Sequence, residues 1–150
     1  MEEVARIRTV DRTDEAEWRR LWAEYLQFYK VRLDDKITDY TWMRLRERRP
    51  QIIGRVAEDR GRLIGFSISI VHEGTWILTP TCYLEDLYVE PSARGRGVGS
   101  ALIQDLVQLG LSANWSRIYW HTRAENSVAR RVYDRFVKPD GFIRYTITLK

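Results

Sequence analysis

One cysteine, Cys82, stands in the 150 residues, so no disulfide can close within the chain, and a reducing cytoplasm is the simplest setting. With no histidine signature beside it for nucleophilic work, Cys82 reads as a core residue. Histidine is almost as scarce. His72 and His121 lie far apart and match no metal-ligand spacing, so no metal is expected. No apolar run approaches the roughly 20 residues needed to span a bilayer. The stretch MEEVARIRTV lacks the apolar core of a signal peptide. Internal repeats, low-complexity tracts and interdomain linkers are missing too, which leaves one domain over residues 1–150 as the natural reading.

What is present is a globular profile: 44% hydrophobic and 31% charged residues exclude a disordered or collagen-like chain. The formal net charge of +4 favours an anionic partner, whether nucleic acid, an anionic membrane or an anionic cofactor. The basic residues are not one block. The densest run, Arg44, Arg46, Arg48 and Arg49, lies in a helical stretch and reads first as a solvated face.

Periodicity places the elements. Ala5 to Val10 reads as a strand. Thr13 or Asp14 caps a helix reaching about Val31, with Trp18, Leu21, Trp22, Tyr25, Leu26 and Phe28 at helical spacing. An acidic linker, Leu33 to Asp39, precedes a second helix over Asp39 to Arg48. Ile52 to Asp59 and Arg62 to Val71 read as strands joined by an Arg60-Gly61 turn. Thr81 to Val89 is a strand that Pro91 stops. Helices over Ser100 to Leu111 and Ser127 to about Phe136, a strand over Arg117 to Thr122 and a last alternating strand over Phe142 to Leu149 complete the chain. The order argues for a mixed α/β sheet in one domain.

The chemistry concentrates in Arg94-Gly95-Arg96-Gly97-Val98-Gly99-Ser100. Glycines between a strand and a helix let backbone N–H groups approach a ligand. The helix adds its free N–H groups and positive dipole end, and the arginines add charge, making a phosphate cradle. A dinucleotide-binding GxGxxG would need glycine at position 100 or 102, where Ser100 and Leu102 stand. A P-loop would need Gly-Lys before Ser or Thr, and no such pair exists.

The arrangement Arg-x-x-Gly-x-Gly, here Arg94, Gly97 and Gly99 within LEDLYVEPSARGRGVGSALI, resembles the acetyl-CoA signature of the GNAT superfamily of N-acetyltransferases. The resemblance extends to WHTRAENSVARRVYDRF, with Asn126, Ala129 and Tyr133, and to Gly141-Phe142, so it covers roughly Ile52 to the C-terminus. YLEDLYV and NSVARRVYD are especially similar to the polyamine/histone and spermidine/spermine acetyltransferase branch. The resemblance implies a GNAT fold: a mixed, mostly antiparallel central sheet flanked by about four helices. It implies acetyl-CoA as cosubstrate and a homodimer joined through the C-terminal strands, for which Phe142 to Leu149 would offer an edge.

Acetyl transfer to an amine requires a held thioester, a polarised carbonyl, a deprotonated amine and a protonated leaving thiolate. By resemblance, the backbone of Leu87, Tyr88 and Val89 pairs with the pantetheine arm and supplies the polarising N–H. Asn126, Ala129, Arg130 and Tyr133 share one helix face, and Tyr133 is the candidate general acid. Asn126 is both a helix cap and a cofactor neighbour. Glu85 is the candidate base, acting through water or simply attracting a cationic substrate, because its ordinary pKa of about 4.3 lies far below that of an alkylammonium. Strand alternation sends Asp86 to the opposite face, although it remains a candidate substrate contact together with Asp34 and Trp76. The acceptor is a primary amine: a polyamine, an amino-acid-like amine or a protein lysine. A CoA-binding module without chemistry and a nucleic-acid-binding domain remain as alternatives, the latter on charge alone.

Overall fold

The computed structural model describes residues 5–150; residues 1–4, the start of the stretch MEEVARIRTV, lie outside the described residues. Five strands form one sheet in the order β1-β2-β3-β4-β5: β1 (Arg6–Thr9), β2 (Ile52–Asp59), β3 (Arg62–His72), β4 (Thr81–Val89) and β5 (Arg117–Tyr119). The first four pair antiparallel, and β5 runs parallel to β4. The β2–β3 hairpin turns on Arg60 and Gly61, both at positive φ, the geometry of a tight hairpin whose twist matches the strands.

Four helices cover the two faces: α1 (Glu15–Phe28), α2 (Asp35–Arg46), α3 (Val98–Ala113) and α4 (Ser127–Tyr133). On the α1–α2 face, Trp18 stacks on Trp22 at 5.2 Å and packs against Trp42 and Phe66. Full burial of a side chain such as Leu21 or Phe66 is worth about 1.5–3 kcal/mol. On the other face, Leu102, Ile103 and Leu106 of α3 press on the sheet through Ile64 and Leu84.

Several boundaries differ from those read in the sequence. Helix α2 begins at Asp35, not Asp39, because Asp34 caps it by accepting a hydrogen bond from the Lys36 N–H at 2.9 Å. The acidic stretch is therefore a cap and a first turn, where negative charge meets the positive end of the helix dipole. Helix α1 ends at Phe28 because Lys30 turns into the left-handed region. Strand β5 stops at Tyr119, where it parts from β4.

The largest correction concerns Phe142 to Leu149. The sequence alternates as a strand should, yet the segment joins no sheet and has no regular structure. Ile143, Tyr145, Ile147 and Leu149 are exposed, Tyr145 at 91%. Alternation encodes a strand with one apolar face, but it does not encode which edge that strand joins. Nothing within the described chain covers it.

Candidate active site

A bulge in β4 organises the site. Ile68 of β3 faces Asp86 while the next residue, Ser69, faces Leu84, so Glu85 is the extra residue. A bulge interrupts the two-residue alternation and re-aims the side chains beyond it. Asp86 and Tyr88 are thereby carried onto the α1–α2 face, with Phe66 and Ile68. The expectation that Glu85 and Asp86 would point to opposite faces is corrected: both line one cavity of about 430 Å³ between α1, α2 and the sheet.

The cavity wall is apolar and aromatic, with Trp22, Tyr25, Tyr29, Ile68 and Ile70 among its residues. The Tyr25 hydroxyl donates to Asp86 Oδ1 at 2.6 Å. Desolvation nevertheless pushes the Asp86 carboxyl up to about 6, and the neighbouring Glu85 adds to the rise against the opposing Tyr25 hydrogen bond. Arg44 and Arg123 also line the cavity.

A second opening lies where β4 and β5 diverge. They pair only from Thr81 to Tyr83, so beyond that point β5 leaves the β4 edge through Leu87, Tyr88 and Val89 unpaired. A linear amide-bearing ligand can pair there as an added strand. At the end of the edge, Gly97 serves as the residue before α3, at φ +81° and without a side-chain cap. Gly95 also has positive φ, and a Cβ at either would meet nothing within 4 Å. The N–H groups of Val98, Gly99 and Ser100 open α3 and are available to an anion. These features suit a diphosphate followed by a pantetheine arm. The two loop arginines are engaged elsewhere: Arg94 Nε donates to the Val89 carbonyl at 3.0 Å and Arg96 pairs with Asp59 at 3.1 Å. The cradle is thus mainly backbone.

Across the cleft, Tyr133 packs against Trp120 with ring centroids 5.5 Å apart and joins the Leu84–Ile103–Leu106 cluster. Desolvation pushes its phenol up to about 12, with a smaller contribution from Tyr29. Asn126 caps α4, accepting from the Ala129 N–H at 3.4 Å, and Arg130 donates to the Ala124 carbonyl at 2.8 Å, holding the loop before α4.

A family model described as acetyltransferase (GNAT) family matches residues 15–137. The chain belongs to the GNAT acetyltransferase family. A D-amino-acid N-acetyltransferase, HPA3, of Saccharomyces cerevisiae is 29% identical over 131 residues, covering 86% of this chain and 81% of that protein. A solved structure of a probable acetyltransferase aligns with TM-score 0.83 at 25% identity, covering 97% of this chain and 98% of the other. AAC(6')-Iy in complex with the bisubstrate analog CoA-S-monomethyl-acetylneamine shares the fold, with TM-score 0.80 at 22% identity over 97% and 98% of the two chains. This GNAT member is an acetyl-CoA-dependent N-acetyltransferase.

The GNAT fold separates the residues singled out in the sequence into two groups. Glu85 and Asp86 line the cavity, Leu87, Tyr88 and Val89 lie on the unpaired β4 edge, the glycine loop stands at the end of that edge, and Tyr133 packs beside them on the cluster of Leu84, Ile103 and Leu106. Asp34 is spent on the α2 cap, and Trp76 is 89% exposed on the β3–β4 loop; neither lines the cavity. Asp39 pairs with Arg19 at 2.9 Å. Cys82 is fully buried, and desolvation pushes its thiol up to about 11, which suits a core residue. Tyr25, Tyr29, Arg44 and Arg123 are cavity residues that sequence reading missed. Tyr25 sits on the apolar stripe of α1 and reads as core, and Tyr29 is the residue that closes α1. Arg44 lies three residues from buried Thr41 on the rim of the α2 stripe, a position that run-counting of arginines hides.

Proposed function

We propose that this acetyltransferase acetylates a small primary amine by direct attack in a ternary complex, with the amine held at Glu85 and Asp86. The observation that carries the reading is the bulge, which sets two carboxylates on the floor of an aromatic cavity beside the open β4 edge. Glu85 attracts the ammonium, and Asp86, ionised at neutral pH with its carboxyl near 6, accepts its proton directly or through water. Acetyl-CoA supplies the activated acyl group. The β4 backbone at Leu87 to Val89 orients it and offers an N–H to its carbonyl, while the N–H groups of Val98, Gly99 and Ser100 bind its diphosphate. Tyr133, kept protonated by burial, donates to the departing thiolate.

Three kinds of acceptor fit a primary amine: a polyamine, an amino-acid-like amine and a protein lysine. The relatives favour the second. The yeast relative is named for D-amino acids. A Bos taurus thialysine N-epsilon-acetyltransferase is 30% identical over 80 residues, 49% of this chain and 46% of that protein. Kinship to the polyamine branch has weak support, from YLEDLYV and NSVARRVYD and from the distant thialysine acetyltransferases.

Acetyl-CoA consumption across amino acids, polyamines, aminoglycosides and histone-tail peptides tests the reading. Tyr133→Phe should lower kcat by roughly 10²–10⁴-fold with acetyl-CoA affinity nearly unchanged; an unaltered rate removes Tyr133 from the mechanism. We also infer a cytoplasmic homodimer in which Ile143, Tyr145, Ile147 and Leu149 of each arm cover apolar surface of the other copy. The exposed, alternating arm supports it. Sedimentation should give a dimer, and removal of residues 142–150 a monomer.

A further inference from the structure

The charges of the cavity are not matched within it. Elsewhere, half-buried ions neutralise one another: Arg55 bridges Asp105 at 2.7 Å, and Arg20 reaches Glu17 and Glu90 at 2.7 and 3.0 Å. Among the described residues, neither Glu85 nor Asp86 forms an ion pair, and neither do Arg44 and Arg123, although all four line one cavity. Arg44 is the more telling cation. It is half-buried, lies 4.4 Å over the Tyr40 ring and donates one side-chain hydrogen bond among the described residues, to Thr41 Oγ1 at 3.3 Å. Its Nε is buried with no hydrogen-bond partner among the described residues. A buried guanidinium nitrogen left without an acceptor costs free energy unless a ligand supplies one. Arg123, on the loop before α4, brings a second cation to the same cavity.

We propose that Arg44, assisted by Arg123, grips the carboxylate of an amino-acid substrate whose amine lies at Glu85 and Asp86. This rests on the acetyltransferase reading above and narrows its acceptor. Two carboxylates and two guanidiniums that do not pair with each other complement a zwitterion. A polyamine would set a second ammonium against Arg44 and Arg123. The wall of Trp22, Tyr29, Ile68 and Ile70 suits an apolar side chain.

The test compares both enantiomers of methionine with methioninamide and 3-(methylsulfanyl)propylamine. The amide's amine is less basic and more often unprotonated, so intrinsic chemistry favours the amide; a preference for the acid must come from binding. The wild-type protein should acetylate at least one enantiomer of methionine with kcat/KM roughly 10- to 100-fold above the amide, the scale of a charge-assisted hydrogen bond. Arg44→Met should erase that ratio through KM for the acid, leaving the amide within a few-fold. Arg123→Gln should reduce it partly. Equal turnover of acid and amide by the wild type overturns the proposal. So does an Arg44→Met variant that loses both equally, which is what a structural role against Tyr40 predicts. Absence of transfer to any amine overturns the acetyltransferase reading instead. The clamp is then decided by methionine quenching of tryptophan fluorescence in the presence of CoA, where binding lost in Arg44→Met supports it and no binding to the wild type overturns it.

Discussion

Two groups of charges in this protein are built from the same residue types and do opposite things. At the start of the sheet, Arg8 Nη1 and Nη2 clasp both oxygens of Asp14 at 2.8 and 2.9 Å, and Arg8 Nε reaches Glu58 at 2.9 Å. Asp14 also accepts from the Asp11 N–H at 2.7 Å, closing a capping box before α1. Burial alone would raise the Asp14 carboxyl, but the Arg8 and Asp11 hydrogen bonds outweigh it and hold it below the usual carboxylate range. In the cavity, Asp86 has one tyrosine hydroxyl and no ion-pair partner among the described residues, and its carboxyl rises to about 6. The first group stabilises the native chain. The second holds charges that form no ion pair among the described residues, the pattern expected of a binding site. Burial with a partner and burial without one separate structure from function here.

Asp86→Asn should break the contrast most sharply. Activity should fall roughly 10²–10⁴-fold, while thermal unfolding should show a gain of about 1–3 kcal/mol at neutral pH, since the amide keeps the Tyr25 hydrogen bond without the buried charge. A variant that is both inactive and less stable would contradict the unpaired-charge account. The sign follows from the raised folded pKa: Asp86 favours the native state below the unfolded pKa near 4, and that contribution is lost as pH rises through about 6. The same ionisation should give kcat/KM an acid limb near pH 6, falling tenfold per unit below it and missing in the Asn variant.

Asp14→Ala is the mirror experiment. Losing the capping box and stranding Arg8 should cost about 2–4 kcal/mol in denaturant unfolding, with turnover per folded molecule unchanged. Because the folded pKa of Asp14 is depressed, its stabilisation is present above the unfolded pKa near 4 and disappears as pH falls through the folded value. The wild type should therefore lose its advantage over the variant only in acid. The smallest effect belongs to Glu47→Ala, which breaks the Glu47–Arg49 pair, exposed on both sides. It should leave the melting temperature unchanged within error.

Much of this was legible in the chain. The alternation of β2, β3 and β4, the Arg60-Gly61 turn, the stripe of α3 and the glycine loop sit within a few residues of their expected places. What failed had local causes. The Asp34 cap was hidden because an aspartate before a helix and an aspartate in a linker look alike. The pairing of Glu85 with Asp86 was hidden because a bulge leaves no mark in a strand that otherwise alternates. Arg44 was hidden among four arginines of one short run, of which it alone lines the cavity.

The sequence by itself determined most of the elements and the glycine turn before α3, because these follow from short-range periodicity and from backbone freedom that glycine supplies, and its motifs carried the resemblance to the family. Tertiary structure decided which charges find partners. Ion pairing joins residues as distant in the chain as Arg8 and Glu58, or Arg55 and Asp105, and leaves Asp86 and Arg44 without ionic partners among the described residues. The resemblance that points to the acetyl donor thus lies in three contiguous segments, YLEDLYV, the glycine loop and NSVARRVYD, whereas the proposed acceptor cavity is lined by side chains from α1, α2, β4 and the loop before α4, which meet only when the chain folds.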